Sequence, residues 1–134
     1  MDKRTISEKY TQIGNELINT EEELDYIKLS EATVVFLSSE HEKKSNGKVI
    51  LGQCEKVAEK YKWGIPCDFT ITVFEPNIAR FTDEQIRILL FHELLHIGID
   101  FNDDGENYYV KPHDLEDFKL IIDMFGTDWD KVNE

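Results

Sequence analysis

The sequence predicts an α+β fold, in which a small antiparallel three-stranded sheet packs on one buried helix and further helices lie towards both ends of the chain. Three short runs rich in β-branched and aromatic residues predict the strands, at about residues 32–38, 49–57 and 67–74. Between Thr82 and about Ile99, apolar side chains surround the predicted helix on every side, which is typical of a buried helix. A sheet followed by such a helix predicts two packed layers.

Amphipathic patterns predict the other helices. Apolar residues recur at helical spacing over residues 5–18, and a capping pair formed by Thr20 and Glu23 predicts a second helix that runs to about Lys28. A last helix is predicted over residues 114–125, with an apolar face that consists of Leu115, Phe118, Ile121, Ile122 and Phe125. We expect these helices to cover the sheet.

Turn signals separate the predicted strands. Asn46-Gly47 is typical of a hairpin turn and predicts that the first two strands form a hairpin. His41 lies in the charged stretch before this turn, where a solvated side chain is expected. The acidic loop 102–107 lacks the ligand spacing of an EF-hand, so calcium binding of that type is not predicted.

Composition limits the function classes. The chain has 134 residues, of which 40% are hydrophobic, and this predicts one domain over residues 1–134 with a single core. A formal charge of −13 argues against nucleic acid as a partner, because phosphate binding needs a basic surface. Acidity alone mainly indicates solubility, although it could favour basic or neutral peptides. Acidic residues far outnumber lysines from Asp100 onward, which predicts a negative field there.

Neither a signal peptide nor a membrane-spanning run is recognisable, so a cytoplasmic protein that does not bind membranes is expected. Cys54 and Cys67 match no metal-binding spacing, and both are predicted in strands, where they can serve as small core residues.

The stretch His92-Glu93-Leu94-Leu95-His96 carries the clearest chemical signal. Two histidines four residues apart on a helix lie one turn apart on the same side, where both imidazoles can bind one Zn²⁺. Glu93 then lies beside the metal, where its carboxylate can take a proton from a coordinated water. This HExxH pattern is typical of zinc metallopeptidases. On an otherwise apolar helix, metal binding would also offset the cost of burying three polar side chains.

A catalytic zinc usually has three protein ligands, so one more is expected after the helix. His113 lies just before the last predicted helix and is the preferred candidate. Glu116 and Asp117 are alternatives, although acidic residues in a first helical turn are favourable without any metal. Tyr108 or Tyr109 could donate a hydrogen bond to the oxyanion of the reaction, but packing is the more common role of a tyrosine in such a place.

These residues resemble the phage metallopeptidase family and, more distantly, SprT-like and other minimal zincins. The similarity covers about residues 30–130, and the residues that carry it are His92 to His96, Gly105, Tyr109, His113 to Phe118, Gly126, Trp129, Leu51 to Val57, Asp68 to Phe74 and Gln85. The resemblance implies a zincin-like fold and one zinc ion per chain bound by His92, His96 and His113. It also implies a peptide or protein substrate and a bacterial or phage-infected host cell.

The sequence therefore predicts a hydrolase that cleaves peptide bonds with a zinc-bound water and Glu93 as general base. Two alternatives remain open at this point. The chain could be a zinc-binding regulatory or interaction module without hydrolytic activity, although such a module would not need the glutamate. It could also be a zinc amidase that acts on a non-protein substrate. The oligomeric state is not predicted.

Overall fold

A computed structural model describes residues 4–112, except for the side chain of Ser45. The predicted last helix, with Gly126 and Trp129, lies outside these residues. The strands are β1 (Arg4–Ile6), β2 (Val34–Ser39), β3 (Lys44–Ser45), β4 (Lys48–Val49), β5 (Gly52–Lys56), β6 (Phe69–Phe74), β7 (Ile97–Asn102) and β8 (Gly105–Val110). The α-helices are α1 (Glu8–Thr20), α2 (Asp25–Lys28) and α3 (Asp83–Leu94), and no described helix is long and apolar enough to cross a membrane.

The fold is α+β as predicted, but the main sheet has four strands and is mixed. Its order is β1-β2-β6-β5, with β2 and β6 parallel and the two outer pairs antiparallel. The prediction of an antiparallel three-stranded sheet was therefore wrong. It missed the short strand β1, and it assumed that strands consecutive in sequence are neighbours, whereas β6 lies between β2 and β5.

The Asn46-Gly47 turn forms a hairpin of its own. Asn46 and Gly47 both have positive φ, as the favoured two-residue turns require, but they join the short strands β3 and β4 instead of β2 and β5. The Asn77 side-chain amide bonds the carbonyls of Lys43 and Ile50, at 3.0 and 2.7 Å, and so ties the base of this hairpin to the end of β6. The predicted strand 49–57 is consequently shortened to β5.

Helix boundaries near the N-terminus follow from local hydrogen bonds. Residues 4–6 pair with β2, so the predicted helix 5–18 begins only at Glu8, where the Ser7 hydroxyl accepts a hydrogen bond from the amide of Tyr10. The Thr20 hydroxyl donates to the carbonyl of Glu16. It does not start a new helix, and residues 22–28 form a 3₁₀ turn followed by the short helix α2.

Both long helices pack on one face of the sheet. Helix α1 contacts α3 and β2, while α3 lies against β5 and β6. The core between the layers contains large, fully buried side chains that include Phe36, Phe69, Ile71, Phe91 and Leu94. The predicted capping box of α3 is present, since Thr82 and Gln85 bond each other's backbone amides. The start of the helix that carries His92 and Glu93 is therefore fixed by its own sequence.

Helix α3 ends earlier than predicted. It stops at Leu94 instead of continuing to about Ile99, and residues 97–102 form β7, which pairs antiparallel with β8. An added Cβ on Gly98 would lie 2.4 Å from the ring of Tyr109, so the β7–β8 hairpin packs at a distance that only glycine permits. A run that is apolar on all sides does not distinguish a buried helix from a buried strand, which explains the error.

Gly14 lies where α1 meets the sheet, and it provides a test of this packing. A Cβ at this position would lie 2.2 Å from atoms of the buried Phe36 ring. We expect Gly14→Ala to lower the free energy of unfolding by about 1–3 kcal/mol, the range typical of an overpacked core. Denaturant unfolding measures the change. Gly64→Ala is the control, because no atom lies within 4 Å of its added Cβ, and it should leave stability nearly unchanged.

Candidate functional site

His92 and His96 converge at the C-terminal end of α3. Their Nε2 atoms lie 3.3 Å apart, and the two imidazole rings have centroids 4.9 Å apart at an angle of 83°. His96 is the second residue after the helix, and its amide bonds the carbonyl of Glu93 in a tightened final turn. Both histidines are buried, with exposed fractions of 9% and 6%. The structure therefore brings the two predicted ligand nitrogens together in the interior.

The backbone of Lys111 holds His96 in place. His96 Nδ1 lies 2.6 Å from the carbonyl oxygen of Lys111, and the Lys111 amide donates to the carbonyl of His96, also at 2.6 Å. A carbonyl oxygen can only accept, so Nδ1 must carry the proton. The neutral His96 ring then has its lone pair on Nε2, the nitrogen that faces His92.

This pair of nitrogens fits a zinc ion. Two imidazole nitrogens that bind one tetrahedral zinc at about 2.0–2.1 Å would lie about 3.3 Å apart. The separation in the structure is also 3.3 Å, which is long for a direct hydrogen bond between nitrogens. Within residues 4–112, no third His, Cys, Asp or Glu joins them in a metal-binding group. The described residues thus provide two ligands of a possible metal site and leave the others to be identified.

Glu93 is a buried carboxylate beside this pair. Only 6% of its surface is exposed, and none of the hydrogen bonds described for residues 4–112 involves its side chain. Burial disfavours the charged form and raises the pKa of Glu93 from 4.5 to about 7. A carboxyl group with a pKa near neutral pH can both take up and release a proton under physiological conditions.

An open cleft of about 400 Å³ reaches this carboxylate between β5 and the end of β8. Its lining residues are Lys43, Ile50, Gly52, Gln53, Cys54, Glu93, His96, Val110, Lys111 and Pro112. We call this space the β5–β8 cleft. Glu93 and His96 therefore share a wall of one solvent-connected cleft. This is the usual setting of residues that act on a ligand.

Strand β5 is an edge of the main sheet, and it forms one side of the cleft. Hydrogen bonds join Phe74 to Leu51 and Val57 to Asp68. In an antiparallel pair of strands, hydrogen-bonded and non-hydrogen-bonded residue pairs alternate. The backbone N–H and C=O groups of Gly52, Cys54 and Lys56 therefore point away from β6. None of the backbone hydrogen bonds described for residues 4–112 uses these outward groups. The cleft therefore runs along a row of backbone donors and acceptors that an extended chain could pair with.

Comparison with known proteins identifies the family. The sequence model of the family described as "Putative phage metallopeptidase" matches residues 3–134. The chain belongs to this family. No curated protein and no solved structure is detectably similar to it. The resemblance seen in the sequence is thus confirmed, and the family name supports a metallopeptidase that acts on protein.

Of the remaining predicted site residues, the structure describes only Tyr108 and Tyr109. His113, Glu116 and Asp117 lie outside the described residues, so their proposed part in metal binding stays a prediction. Neither Tyr108 nor Tyr109 lines the described cleft. The Tyr108 hydroxyl donates to Glu106 at 2.6 Å, and burial, together with this contact, raises its pKa. The Tyr109 ring lies against Gly98.

The sequence did not lead us to predict some of the residues that line the cleft. Gly52 lies close to Glu93, since a Cβ there would lie 3.3 Å from Glu93 Cγ and 3.4 Å from one carboxylate oxygen. A glycine inside a strand is a signal of close approach and could have drawn attention to this position. Cys54 also faces Glu93, and burial, followed by the charges of Glu93 and Glu55, raises its thiol pKa to about 12. No sequence pattern indicated Lys43, because the fold of the β3–β4 hairpin places it at the cleft.

Proposed function

We propose that this protein is a zinc-dependent peptidase that hydrolyses peptide bonds, with one zinc ion per chain and residues 1–134 acting as one domain. His92 and His96 would bind the metal, with His113 as the third ligand. The observation that carries the proposal is the convergence of two buried histidine nitrogens, one of them from His96, which shares a cleft wall with the buried carboxylate of Glu93. Membership of the metallopeptidase family supports the same reaction class.

A zinc ion in this position would lower the pKa of a coordinated water to about 7 and polarise the carbonyl of the substrate. Glu93 would take the proton of the attacking water and later pass it to the nitrogen of the leaving amine. Without a metal its pKa is about 7, and the charge of a bound zinc ion would favour the carboxylate form, which is the form that accepts the proton. The Lys111 carbonyl would keep His96 in the tautomer that presents Nε2.

The substrate would bind as an extended strand along β5. Addition of a strand to an exposed sheet edge provides backbone hydrogen bonds that do not depend on sequence, as a peptidase requires. The outward backbone groups of Gly52 and Cys54 lie in the cleft lining together with Glu93. Gly52 would bring the peptide close to the carboxylate, because it has no side chain to separate them.

A metal site that served only folding would not require an unpaired acid. None of the hydrogen bonds described within residues 4–112 involves the Glu93 carboxylate, and burying it without a partner costs on the order of 2 kcal/mol or more. Such a cost is expected where the group is used in a reaction. This observation favours hydrolysis over a purely structural zinc site.

Metal content and peptide cleavage, measured on the same protein, test the proposal. We expect His92→Ala and His96→Ala to lose bound zinc and to stop cleaving peptides, because each removes one of the two converging nitrogens. His41→Ala is the matched control, since His41 is exposed in the loop before β3, and it should retain both properties. Full zinc content and full cleavage in either buried-site variant would refute the proposed site.

The zinc affinities of three further variants test which residue is the third ligand. Pro112 lines the cleft, so His113 follows directly in the chain from a residue at the site. We expect His113→Ala to weaken zinc binding by at least tenfold, while Glu116→Gln and Asp117→Asn change it little. Zinc titration with a competing chelator measures the affinities. Unchanged affinity in His113→Ala, with a loss in one of the carboxylate variants, would assign the third ligand to that carboxylate instead.

A further inference from the structure

The two faces of β5 differ in chemistry next to the cleft. Gly52 and Cys54 are on the face of β5 that is turned to α3 and Glu93. Because side chains alternate along a strand, Gln53 and Glu55 point to the opposite face. On that opposite face Gln53 lies across from Thr72, and the next residue of β6 on the same side is Phe74. We call this the outer face of the edge.

Lys43 places a cation at the outer face. Its Nζ donates to Gln53 Oε1 at 2.6 Å and lies 5.6 Å from the centroid of the Phe74 ring. Its backbone carbonyl accepts from the Ile50 amide and the Asn77 side chain, so the chain that carries it is fixed beside the edge. Both anchors of the ammonium are uncharged, and within residues 4–112 no carboxylate forms an ion pair with it.

The neighbouring cations are arranged differently. Arg4 also lies over the Phe74 ring, but its guanidinium is neutralised by Glu55 at 2.8 Å. The Lys111 ammonium lies 4.8 Å above the Tyr26 ring, so it is turned to that side chain. Lys43 therefore keeps an uncompensated positive charge in the described lining of the cleft. A lysine ammonium has three donors, and the bond to Gln53 uses only one of them.

From this arrangement we infer that the β5–β8 cleft selects peptides with an acidic side chain at the position opposite Gln53. The inference rests on the proposed function, in which the peptide adds to the edge of β5. Residues directly opposite in neighbouring strands point to the same face. The peptide residue opposite Gln53 would therefore point to the outer face, beside Lys43, and its neighbours would point towards Glu93.

The preference is expected even though the chain carries a net charge of −13. A charge within a few ångströms outweighs a distributed field, because salt screens charges farther away than about 10 Å. Glu93 is the only acidic residue in the described lining, and it is on the other face. A glutamate or aspartate in the peptide would thus meet one fixed cation at short range, which favours it over a glutamine or lysine of similar size.

The affinity for peptides, measured in a variant that should not hydrolyse them, tests the inference. The Glu93→Gln protein would be titrated with short peptides capped at both ends, in which Glu, Gln or Lys occupies each position in turn, and fluorescence anisotropy would report affinity. We expect one position at which Glu binds about threefold to tenfold more tightly than Lys, because a partly exposed ion pair favours Glu by up to about fivefold and repulsion from Lys43 weakens binding of the Lys peptide. Lys43→Gln should abolish this preference, and Lys43→Glu should reverse it.

Lys48→Glu is the matched control, because it makes the same charge change on the exposed strand β4, outside the described cleft lining. It should leave the preference intact. Equal affinities for Glu and Lys peptides, or the same loss in Lys48→Glu as in Lys43→Glu, would overturn the inference. If the preference is found but the wild type cleaves none of the peptides, the cleft specificity stands and the proposed hydrolysis fails.

Discussion

The Glu93→Gln protein is expected to bind zinc like the wild type and to hydrolyse peptides about 10²–10⁴-fold more slowly, the usual contribution of a positioned general base. Glutamine has nearly the same shape but cannot accept the proton of the attacking water. The two histidine nitrogens 3.3 Å apart are untouched by the change, so metal content should not fall. Steady-state kinetics on a cleaved peptide, together with metal analysis, measure both quantities.

A charge-matched variant distinguishes this role from a general effect of removing an acid. Glu84 lies on the same helix α3, exposed in its first turn and about two and a half turns from Glu93. Glu84→Gln should therefore keep kcat within about twofold. A Glu93→Gln enzyme with nearly full kcat would remove Glu93 from the reaction, and one without metal would place it in metal binding instead.

The arrangement of His92, Glu93 and His96 was more predictable than the sheet, for a physical reason. His92, Glu93 and His96 lie within five residues, so the last turns of α3 and the tightened turn after it bring them together, and mostly local sequence is needed to foresee it. The capping box at Thr82 and Gln85 is equally local, and it was confirmed. The pairing of β2 with β6 depends on contacts between residues 35 apart in the chain, which no local pattern encodes.

The cleft could not be predicted from the sequence. Its walls come from the hairpin before β5, from β5 itself and from the end of β8, so Lys43 and Lys111 are near Glu93 only in the folded chain. The excess of acidic residues from Asp100 onward predicted a negative field near the site. Most of those acidic residues lie outside the described part of the chain, so this stays a prediction. The described lining contains two lysines and one carboxyl group, and the preference for acidic peptides is inferred from that local arrangement.

Glu93 should also make the stability of the metal-free protein depend on pH. Its pKa is about 7 in the folded state and 4.5 ordinarily, so the folded state binds the proton more tightly. The stabilising contribution of the protonated form is complete below about pH 4.5 and is lost as the pH rises through 7. A pKa difference of about 2.5 corresponds to about 3 kcal/mol of unfolding free energy, lost mainly between about pH 4.5 and 7.

Urea unfolding of the metal-free wild type and of Glu93→Gln, compared at several pH values in the presence of a chelator, measures this loss. The two proteins share every other ionisable group, so the difference between their curves reports mainly on Glu93. The variant should become the more stable protein above pH 7, because its neutral side chain avoids the cost of a buried charge. Parallel stability curves would mean that Glu93 ionises freely in the fold. If the difference is found, Glu93 lowers the stability of the metal-free protein at the neutral pH where the enzyme would work.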